Sequence, residues 1–287
     1  MLYRQRKPVG ALARYVSSIW YVRGGMQGHQ LERVLPNGAI QLIVNLAHEW
    51  IADLRPLAGA LQRGEALPGV GEPLPASVLV GMQTRYVLID SAELDEVMGV
   101  AFEPVGLRRF VRERADVFRD RDTALADVFG GLAGRLRERL LEAGDWTAKM
   151  DCMESFLCSR LELGSGTHAE MAQEGMARFA LERIRRRPSV VSVAALTREV
   201  GYSARRFTEV FSREVGLTPK VYARVCRFQQ AVQQLHRGAE VPWAELAMAC
   251  GYYDQSHFAN EFHAFSGVSP TGYSAARRVW SNHVPLG

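Results

Sequence analysis

The feature that most constrains the fold of this chain is an internal repeat in its last third. Four residue types recur in the same order at an offset of 50 residues, and five more recur at an offset of 51. The pairs are Ala194/Ala244, Leu196/Leu246, Gly201/Gly251, Tyr202/Tyr252, Phe207/Phe258, Phe211/Phe262, Gly216/Gly267, Pro219/Pro270 and Tyr222/Tyr273. A repeat of this length indicates one supersecondary unit used twice, with one extra residue in a turn of the second copy.

Each copy of the repeat has the parts of a helix-turn-helix. We expect a short helix at Val193 to Val200 and at Trp243 to Cys250, each ended by the first glycine of its copy. Glycine can adopt the left-handed conformation that stops a helix without a Cβ clash. After the turn, Ser203 in one copy and Asp254 in the other can cap the next helix by accepting from its free N–H groups.

The second helix of each copy is expected to be amphipathic. Apolar residues at helical spacing share one face and should pack in the core. The buried stripes are Phe207, Val210 and Phe211 in one copy, and Phe258, Phe262 and Phe265 in the other. The opposite, polar stripes are Arg205, Thr208, Glu209 and Ser212, and then Ser256, Ala259, Asn260 and His263.

A third helix follows in each copy. Thr218 and Pro219, and likewise Ser269 and Pro270, supply an N-cap residue with proline at the first helical position. The apolar spacing from Pro219 to Arg237 predicts one long connecting helix, which would hold the two units at a fixed separation.

The charge of the chain is divided unevenly along its length. Residues 176–287 hold 15 lysines and arginines against 8 acidic residues, a net charge of +7, whereas residues 1–175 hold 20 against 23, a net charge of −3. A basic C-terminal part is typical of nucleic-acid binding, although a solvated surface is the more common reason for a basic face.

The N-terminal part is predicted to be a separate domain of a different class. Residues 1–120 are expected to be β-rich, with apolar, β-branched runs between turn signals, and residues 121–165 helical with a break near Gly144 and Asp145. Residues 166–175 are the expected linker. The predicted fold is thus an α+β domain, β-rich with a helical C-terminal segment, at 1–165. An all-α domain with two helix-turn-helix units joined by a connecting helix follows at 176–287.

With these motifs placed, residues 176–287 resemble the DNA-binding domain of the AraC/XylS family of bacterial regulators. The resemblance rests on the glycine-aromatic turns, on Arg227, Ala231 and Leu235 of the connecting helix, and on the final G-x-S-P-x-x-Y motif that starts at Gly267. By that resemblance, base contacts fall on Arg205, Thr208 and Glu209 in the first copy and on Gln255, Ser256, His257 and Asn260 in the second.

The free N–H groups at the helix starts near Thr218 and Ser269, together with several basic residues, are expected to contact phosphates. The candidates are Arg198, Arg213, Lys220, Arg224 and Arg277. Glu209 departs from the residue types that most easily read guanine or adenine. It could accept from cytosine, or it could neutralise Arg205 or Arg213.

The N-terminal part has a weaker likeness to the sensor regions of some members of the family. It rests on residues 33–38 and 99–104 and implies a role in effector response or dimerisation. Four aromatic residues could line an effector pocket, with the alternative that Trp20 and Phe102 are simply core: Trp20, Tyr21, Trp50 and Phe102.

The predicted function is a sequence-specific DNA-binding transcription regulator, an activator by resemblance, that needs neither cofactor nor metal. Double-stranded DNA, RNA polymerase, a small-molecule or protein effector and a second copy of the chain are the expected partners. No apolar run is long enough to span a membrane, so we expect a cytoplasmic location, associated with the nucleoid. The alternatives are an enzyme domain fused to a DNA-binding domain, which lacks the common catalytic motifs here, and a non-specific architectural DNA binder.

Overall fold

A computed structural model of the chain describes residues 1–24, 31–66, 68–91, 94–161, 167–188, 192–238, 242–276 and 280–286. The N-terminal region is built on antiparallel strands, and a series of helices follows it. The expected order, a β-rich region with a helical end and then a helical domain, is confirmed.

The strands are β1 Leu2–Arg6, β2 Val16–Arg23, β3 Leu31–Val34, β4 Gln41–Asn45, β5 Trp50–Ile51, β6 Leu74–Pro75, β7 Ser77–Val80, β8 Val87–Asp90, β9 Glu96–Phe102, β10 Asp122–Ala124 and β11 His283–Pro285. Within the described residues they form three antiparallel sheets. The largest has the order β1-β2-β9-β4-β7-β10, a second has the order β11-β3-β8, and β5 pairs with β6.

The two faces of the six-stranded sheet have different roles, because successive side chains on a strand point to opposite sides. Ile19 and Tyr21 of β2 are buried on one face, and the Tyr21 hydroxyl donates to Glu96 of β9 at 2.7 Å. Lys149 lies 3.6 Å from the same carboxylate, so the helices that follow the sheet cover this face. Trp20 lies on the other face, opposite Gly99.

Four helices accompany the sheets: α1 Arg55–Arg63, α2 Leu125–Phe129, α3 Leu132–Glu142 and α4 Trp146–Arg160. The expected break near Gly144 is confirmed, since Asp145 caps α4 by accepting from Ala148 N–H at 2.8 Å. A second break lies at Gly130, whose φ of +58° ends α2. The helix α1 was not predicted from the sequence.

The segment expected as a linker is largely helical. A capping box of Thr167 and Glu170 starts α5, His168–Arg186, so residues 168–175 are helix and this part of the linker prediction is corrected. The physical reason is the reciprocal capping pair, which satisfies two free N–H groups at once. Of the rest of the predicted linker, Thr167 is the N-cap of α5 and residue 166 lies outside the described residues.

Six further helices form the two repeat units, at the places that the repeat predicts to within one residue. They are α6 Val193–Val200, α7 Ala204–Val215, α8 Pro219–His236, α9 Trp243–Ala249, α10 Gln255–Ser266 and α11 Pro270–Ala275. The helix α8 is the connecting helix, and it packs against both α7 and α10.

The helical region ends in a strand that the sequence analysis missed. Strand β11 pairs antiparallel with β3 in the register His283 to Val34, and Asn282 accepts from Leu35 N–H at 2.8 Å. Nδ1 of His283 lies 2.9 Å from a carboxylate oxygen of Glu32. The chain after α11 therefore returns to the N-terminal sheet and completes its second layer.

A buried carboxylate also fixes α5 to the N-terminal region. Glu174 is 5% exposed and pairs with Arg14, Arg109 and Arg178. Burial by itself acts to raise the pKa of Glu174, but hydrogen bonds from Arg178 and Arg109 outweigh it and hold the pKa below its ordinary value. The ionised carboxylate thus stabilises the contact between α5 and the two short turns that carry Arg14 and Arg109.

Candidate nucleic-acid interface

Matched caps position the second helix of each repeat unit. Ser203 accepts from Arg206 N–H at 3.3 Å at the start of α7, and Asp254 accepts from His257 N–H at 2.7 Å at the start of α10. The preceding turns begin at Gly201 and Gly251, with φ of +71° and +78°. Both features were predicted, and they leave the first turn of each helix exposed to solvent.

The polar stripe of α7 faces outward. Phe207, the anchor of the opposite stripe, is fully buried, while Arg205 and Glu209 are exposed and Thr208 is half-buried. Within the described part of the chain, Arg205 has no ion-pair partner. Glu209 instead accepts from Arg206 at 3.3 Å, which is neither of the two arginines considered for it from the sequence.

The corresponding residues of α10 are grouped around its first turn. Gln255, Ser256, His257 and Asn260 are all exposed. The His257 ring is partly held, because its Nδ1 accepts from Tyr253 N–H at 3.4 Å. The structure thus brings the four predicted residues of the second copy onto one accessible surface.

The expected phosphate contacts lie in different environments. Lys220 and Arg198 are exposed. Arg213 is held by Glu214 at 3.0 Å, and Arg224 is held by Glu261 at 2.5 Å, so both already have a carboxylate partner. Arg277 lies outside the described residues.

Glu261 is a site residue that the sequence analysis missed. It is 7% exposed on α10 and binds Arg224 and Arg227 of α8, while Arg227 also donates to the Gly251 carbonyl at 3.2 Å. Because removing one partner of a buried ion pair leaves the other charge uncompensated, this cluster fixes α10 against the connecting helix. The signal in the sequence was a glutamate directly before Phe262 on an otherwise apolar stripe.

The extra residue of the second copy is Tyr253. It follows the matched pair Tyr202/Tyr252 and precedes the matched caps, and its side chain is 89% exposed. An exposed tyrosine beside the start of α10 offers a hydroxyl to any ligand of that surface. The one-residue change of offset in the repeat was the signal for it.

The N-terminal region borders α7. The short turn Ala115–Phe118 packs on this helix, and the backbone of Ala115 lies close to Gly216, where α7 ends. Arg114 pairs with Asp116 at 2.8 Å, and this carboxylate together with that of Glu209 raises the pKa of Arg114. The end of α7 is therefore in contact with the N-terminal region, and the charge of Glu209 acts on Arg114.

The four aromatic residues expected to line one effector pocket are not together. Trp20 lines a cavity on the outer face of the six-stranded sheet. Tyr21 and Phe102 are buried on the opposite face, because neighbouring residues of a strand alternate in direction. Trp50 is 44% exposed on β5 and lies beside His48. The pocket prediction is therefore corrected for three of its four residues.

The described residues contain no group of three or more histidine, cysteine or acidic side chains that could hold a metal ion. All four cysteines, Cys152, Cys158, Cys226 and Cys250, are free thiols. In the described part of the chain, no helix is both long enough and apolar enough to cross a bilayer.

Two protein-family models match the chain. A helix-turn-helix domain matches residues 196–276, and a domain of unknown function (DUF6597) matches residues 4–124. The first match covers the two repeat units from α6 to α11, and the second covers the strands of the N-terminal region up to β10.

Individual proteins match parts of the chain. The probable transcriptional regulator LumQ of Photobacterium leiognathi is 32% identical over 83 residues, which are 29% of this chain and 33% of that protein, so the match spans a third of its length. The C-terminal domain of AraT, a response regulator from Geobacillus stearothermophilus, is 23% identical, with a TM-score of 0.34 over 37% of this chain and 88% of that one.

A probable AraC family transcriptional regulator from Rhodopseudomonas palustris is 26% identical, with a TM-score of 0.31 over 33% of this chain and 91% of that one. The family match, the repeat and the capped helices all fall on the same residues. Residues 196–276 therefore form a helix-turn-helix domain that contains two repeat units.

Proposed function

We propose that the chain regulates transcription by binding a specific DNA sequence, with α7 and α10 in two adjacent segments of the major groove. The observation that carries the proposal is the pair of equivalent helices, each with a buried aromatic stripe and an accessible polar one. An α-helix fits the major groove of B-form DNA, and successive segments on one side of the duplex lie about one turn, ~34 Å, apart.

Base reading is assigned to the exposed polar side chains of the two helices. Arg205 carries an unpaired guanidinium in the described structure, and arginine matches the O6 and N7 acceptors of guanine. On α10, Gln255 and Asn260 can pair with the N6 and N7 edge of adenine. Glu209 is engaged by Arg206, so it acts on Arg206 in the free protein and can accept from cytosine only after that pair opens.

Phosphate binding is assigned to the helix starts and to unpaired cations beside them. Lys220 is exposed in the first turn of α8, next to the Thr218 cap. Tyr253 is exposed just before the start of α10, and its hydroxyl could also bond to a phosphate. Arg198 is exposed in the last turn of α6. Such contacts set affinity and orientation, and they carry no sequence information.

Modulation of DNA binding is assigned to the N-terminal region. The turn Ala115–Phe118 packs on α7, and Arg114 lies near Glu209. A change in the N-terminal region that moves this turn would therefore act directly on the first DNA-reading helix. We extend the proposal to activation of transcription with RNA polymerase, to dimerisation through residues 1–165, and to a cytoplasmic, nucleoid-associated location, as the family resemblance implies.

The test is selection of bound sequences from a pool of random duplexes with the full chain, at two salt concentrations. We expect enrichment of a motif with two boxes about one helical turn apart. Retention of DNA without any enriched motif, with affinity that falls steeply as salt rises, would identify an architectural binder instead. An enzyme fused to a DNA-binding domain would require turnover of a DNA substrate or a bound metal.

A further inference from the structure

A cavity of about 260 Å³ lies between the N-terminal sheets and the tail that follows α11. Its lining includes Tyr3, Trp20 and Gln41 of the N-terminal strands and Trp280, Asn282 and His283 of the tail. Binding pockets for small molecules have volumes of roughly 300 Å³ and above, so this cavity suits a compact ligand.

The walls of the cavity are aromatic. Trp20 lies over Gly99 on the neighbouring strand, where a Cβ would come within 2.2 Å of its ring. Glycine at this position therefore lets the indole lie close to the sheet, where it forms a flat floor. Tyr3 lies on β1 of the same sheet, and its ring contacts that of Trp280 in the tail, with centroids 4.6 Å apart. Aromatic rings from the sheet and from the tail favour a planar aromatic guest.

The polar side chains that line the cavity, among the described residues, are neutral or already engaged. None of these described lining side chains is a lysine, arginine, aspartate or glutamate. Asn282 accepts from Gln229, and Nδ1 of His283 lies against Glu32. Within the described residues the side-chain amide of Gln41 makes no hydrogen bond. Burying a charged ligand beside Gln41 would remove its hydration without an opposite charge from the described side chains of the lining, whereas a neutral polar group could bond with Gln41.

We propose that this cavity binds a small, uncharged, planar aromatic molecule between Trp20 and Trp280, with a polar group of the ligand on Gln41. The inference deepens the proposed function, because it names the chemical class of effector through which the N-terminal region would modulate DNA binding.

The tail connects the cavity to the DNA-binding helices. The Ser281 carbonyl accepts from the Tyr273 hydroxyl of α11 at 2.7 Å, and Asn282 accepts from Gln229 of α8 at 2.9 Å. Tyr273 is fully buried, and its ring packs against Phe262 of α10 with centroids 5.5 Å apart. A ligand that contacts Trp280 thus contacts a segment bonded to both α8 and α11.

The binding test uses two probes of the same shape and different charge, indole-3-carboxamide and indole-3-carboxylate, titrated into the full chain by calorimetry without DNA. We expect saturable binding of the carboxamide with one site per chain, at least about tenfold tighter than that of the carboxylate. Absence of saturable binding, or equal binding of the two probes, would overturn the proposal.

Variants locate the binding. Trp280→Ala should weaken carboxamide binding at least about tenfold, a loss of ~1.4 kcal/mol or more, and Gln41→Leu should reduce the preference for the carboxamide. Trp50→Ala removes an exposed tryptophan outside the cavity and should change nothing. If Trp280→Ala and Gln41→Leu, folded as judged by circular dichroism, bind the carboxamide as the parent does, the cavity is not the site.

The outcome for DNA is measured separately, by repeating DNA binding with and without saturating carboxamide. A shift in DNA affinity that Trp280→Ala abolishes supports the route through the tail. A chain that selects a DNA motif but binds neither probe refutes the ligand proposal alone, and a chain that binds the carboxamide but selects no motif refutes the proposed function alone.

Discussion

The backbone N–H of Tyr86 donates a hydrogen bond of 2.9 Å to the carbonyl oxygen of Phe265 in the last turn of α10. The last carbonyl groups of a helix have no partner within the helix, and here one of them is satisfied by the N-terminal region. The Tyr86 ring covers Gly267, the residue that ends α10. The second helix-turn-helix unit is thereby joined to the N-terminal region by backbone and side chain together.

Gly267→Ala should therefore destabilise the chain more than Gly201→Ala. Both glycines have a φ near +70°, but an added Cβ would meet open space at Gly201 and would lie 2.4 Å from the Tyr86 ring at Gly267. The matched control, Gly201→Ala, should lower the free energy of unfolding by about 1 kcal/mol, from backbone strain alone. Urea denaturation measures the difference, and equal losses for the two variants would contradict the close contact.

Arg205→Ala should weaken binding to the selected DNA sequence by roughly 1 to 3 kcal/mol, with a much smaller loss on random DNA. The guanidinium is exposed on the polar stripe of α7 and has no ion-pair partner in the described structure. Lys220→Ala is the matched control, since loss of a phosphate contact should weaken binding to all sequences alike. Fluorescence anisotropy with cognate and random duplexes separates the two, and equal losses for Arg205→Ala would remove it from base reading.

Glu261→Gln should lower the ratio of cognate to random DNA affinity. The change removes the charge that holds Arg224 and Arg227, so α10 loses its fixed position on α8, while two released guanidinium groups attract any phosphate backbone. Glu199→Gln, which affects only an exposed pair with Arg183, should leave the ratio unchanged. An unchanged ratio in folded Glu261→Gln would show that the cluster does not position α10.

Glu174→Gln should destabilise the chain by roughly 3 kcal/mol at neutral pH, because three arginines then lack their carboxylate. The pKa of Glu174 is lowered in the folded state. The stabilisation is thus fully present above the unfolded-state pKa, about 4.3, and is lost as pH falls through the folded-state value.

Chemical denaturation of the parent and the variant at pH 7, 5 and 3.5 tests this dependence. The difference in the free energy of unfolding between the parent and Glu174→Gln should have its full size at pH 7 and pH 5 and should be smaller at pH 3.5. Glu182→Gln on the same helix removes an exposed pair with Arg186 and should cost less than about 1 kcal/mol. A gap for Glu174→Gln that grows as pH falls would contradict the assignment.

The helical units could be predicted almost to the residue, because their determinants are local. Gly201, Ser203 and Thr218 each specify a helix end within a few residues of chain. Each of these signals occurs again in the second copy of the repeat. The same local reasoning found the break capped by Asp145. Boundaries that depend on capping and periodicity are visible in one sequence.

The features that the sequence did not reveal depend on contacts between distant segments. Trp20 and Trp280 line one cavity although 260 positions separate them, and no local pattern relates them. In the sequence, Glu174 and Glu261 cannot be distinguished from solvent-exposed helix residues. In the structure, arginines from other elements pair with both carboxylates. Strand β11, with three residues, is too short for a period-two pattern to identify.

Strand β11 has a consequence for the order in which the chain can be completed. It follows every other described element, and its partner β3 is made near the beginning. During synthesis on the ribosome, the outer edge of β3 therefore stays unpaired until the helical domain has emerged, and an unpaired edge strand is a template for association with other chains.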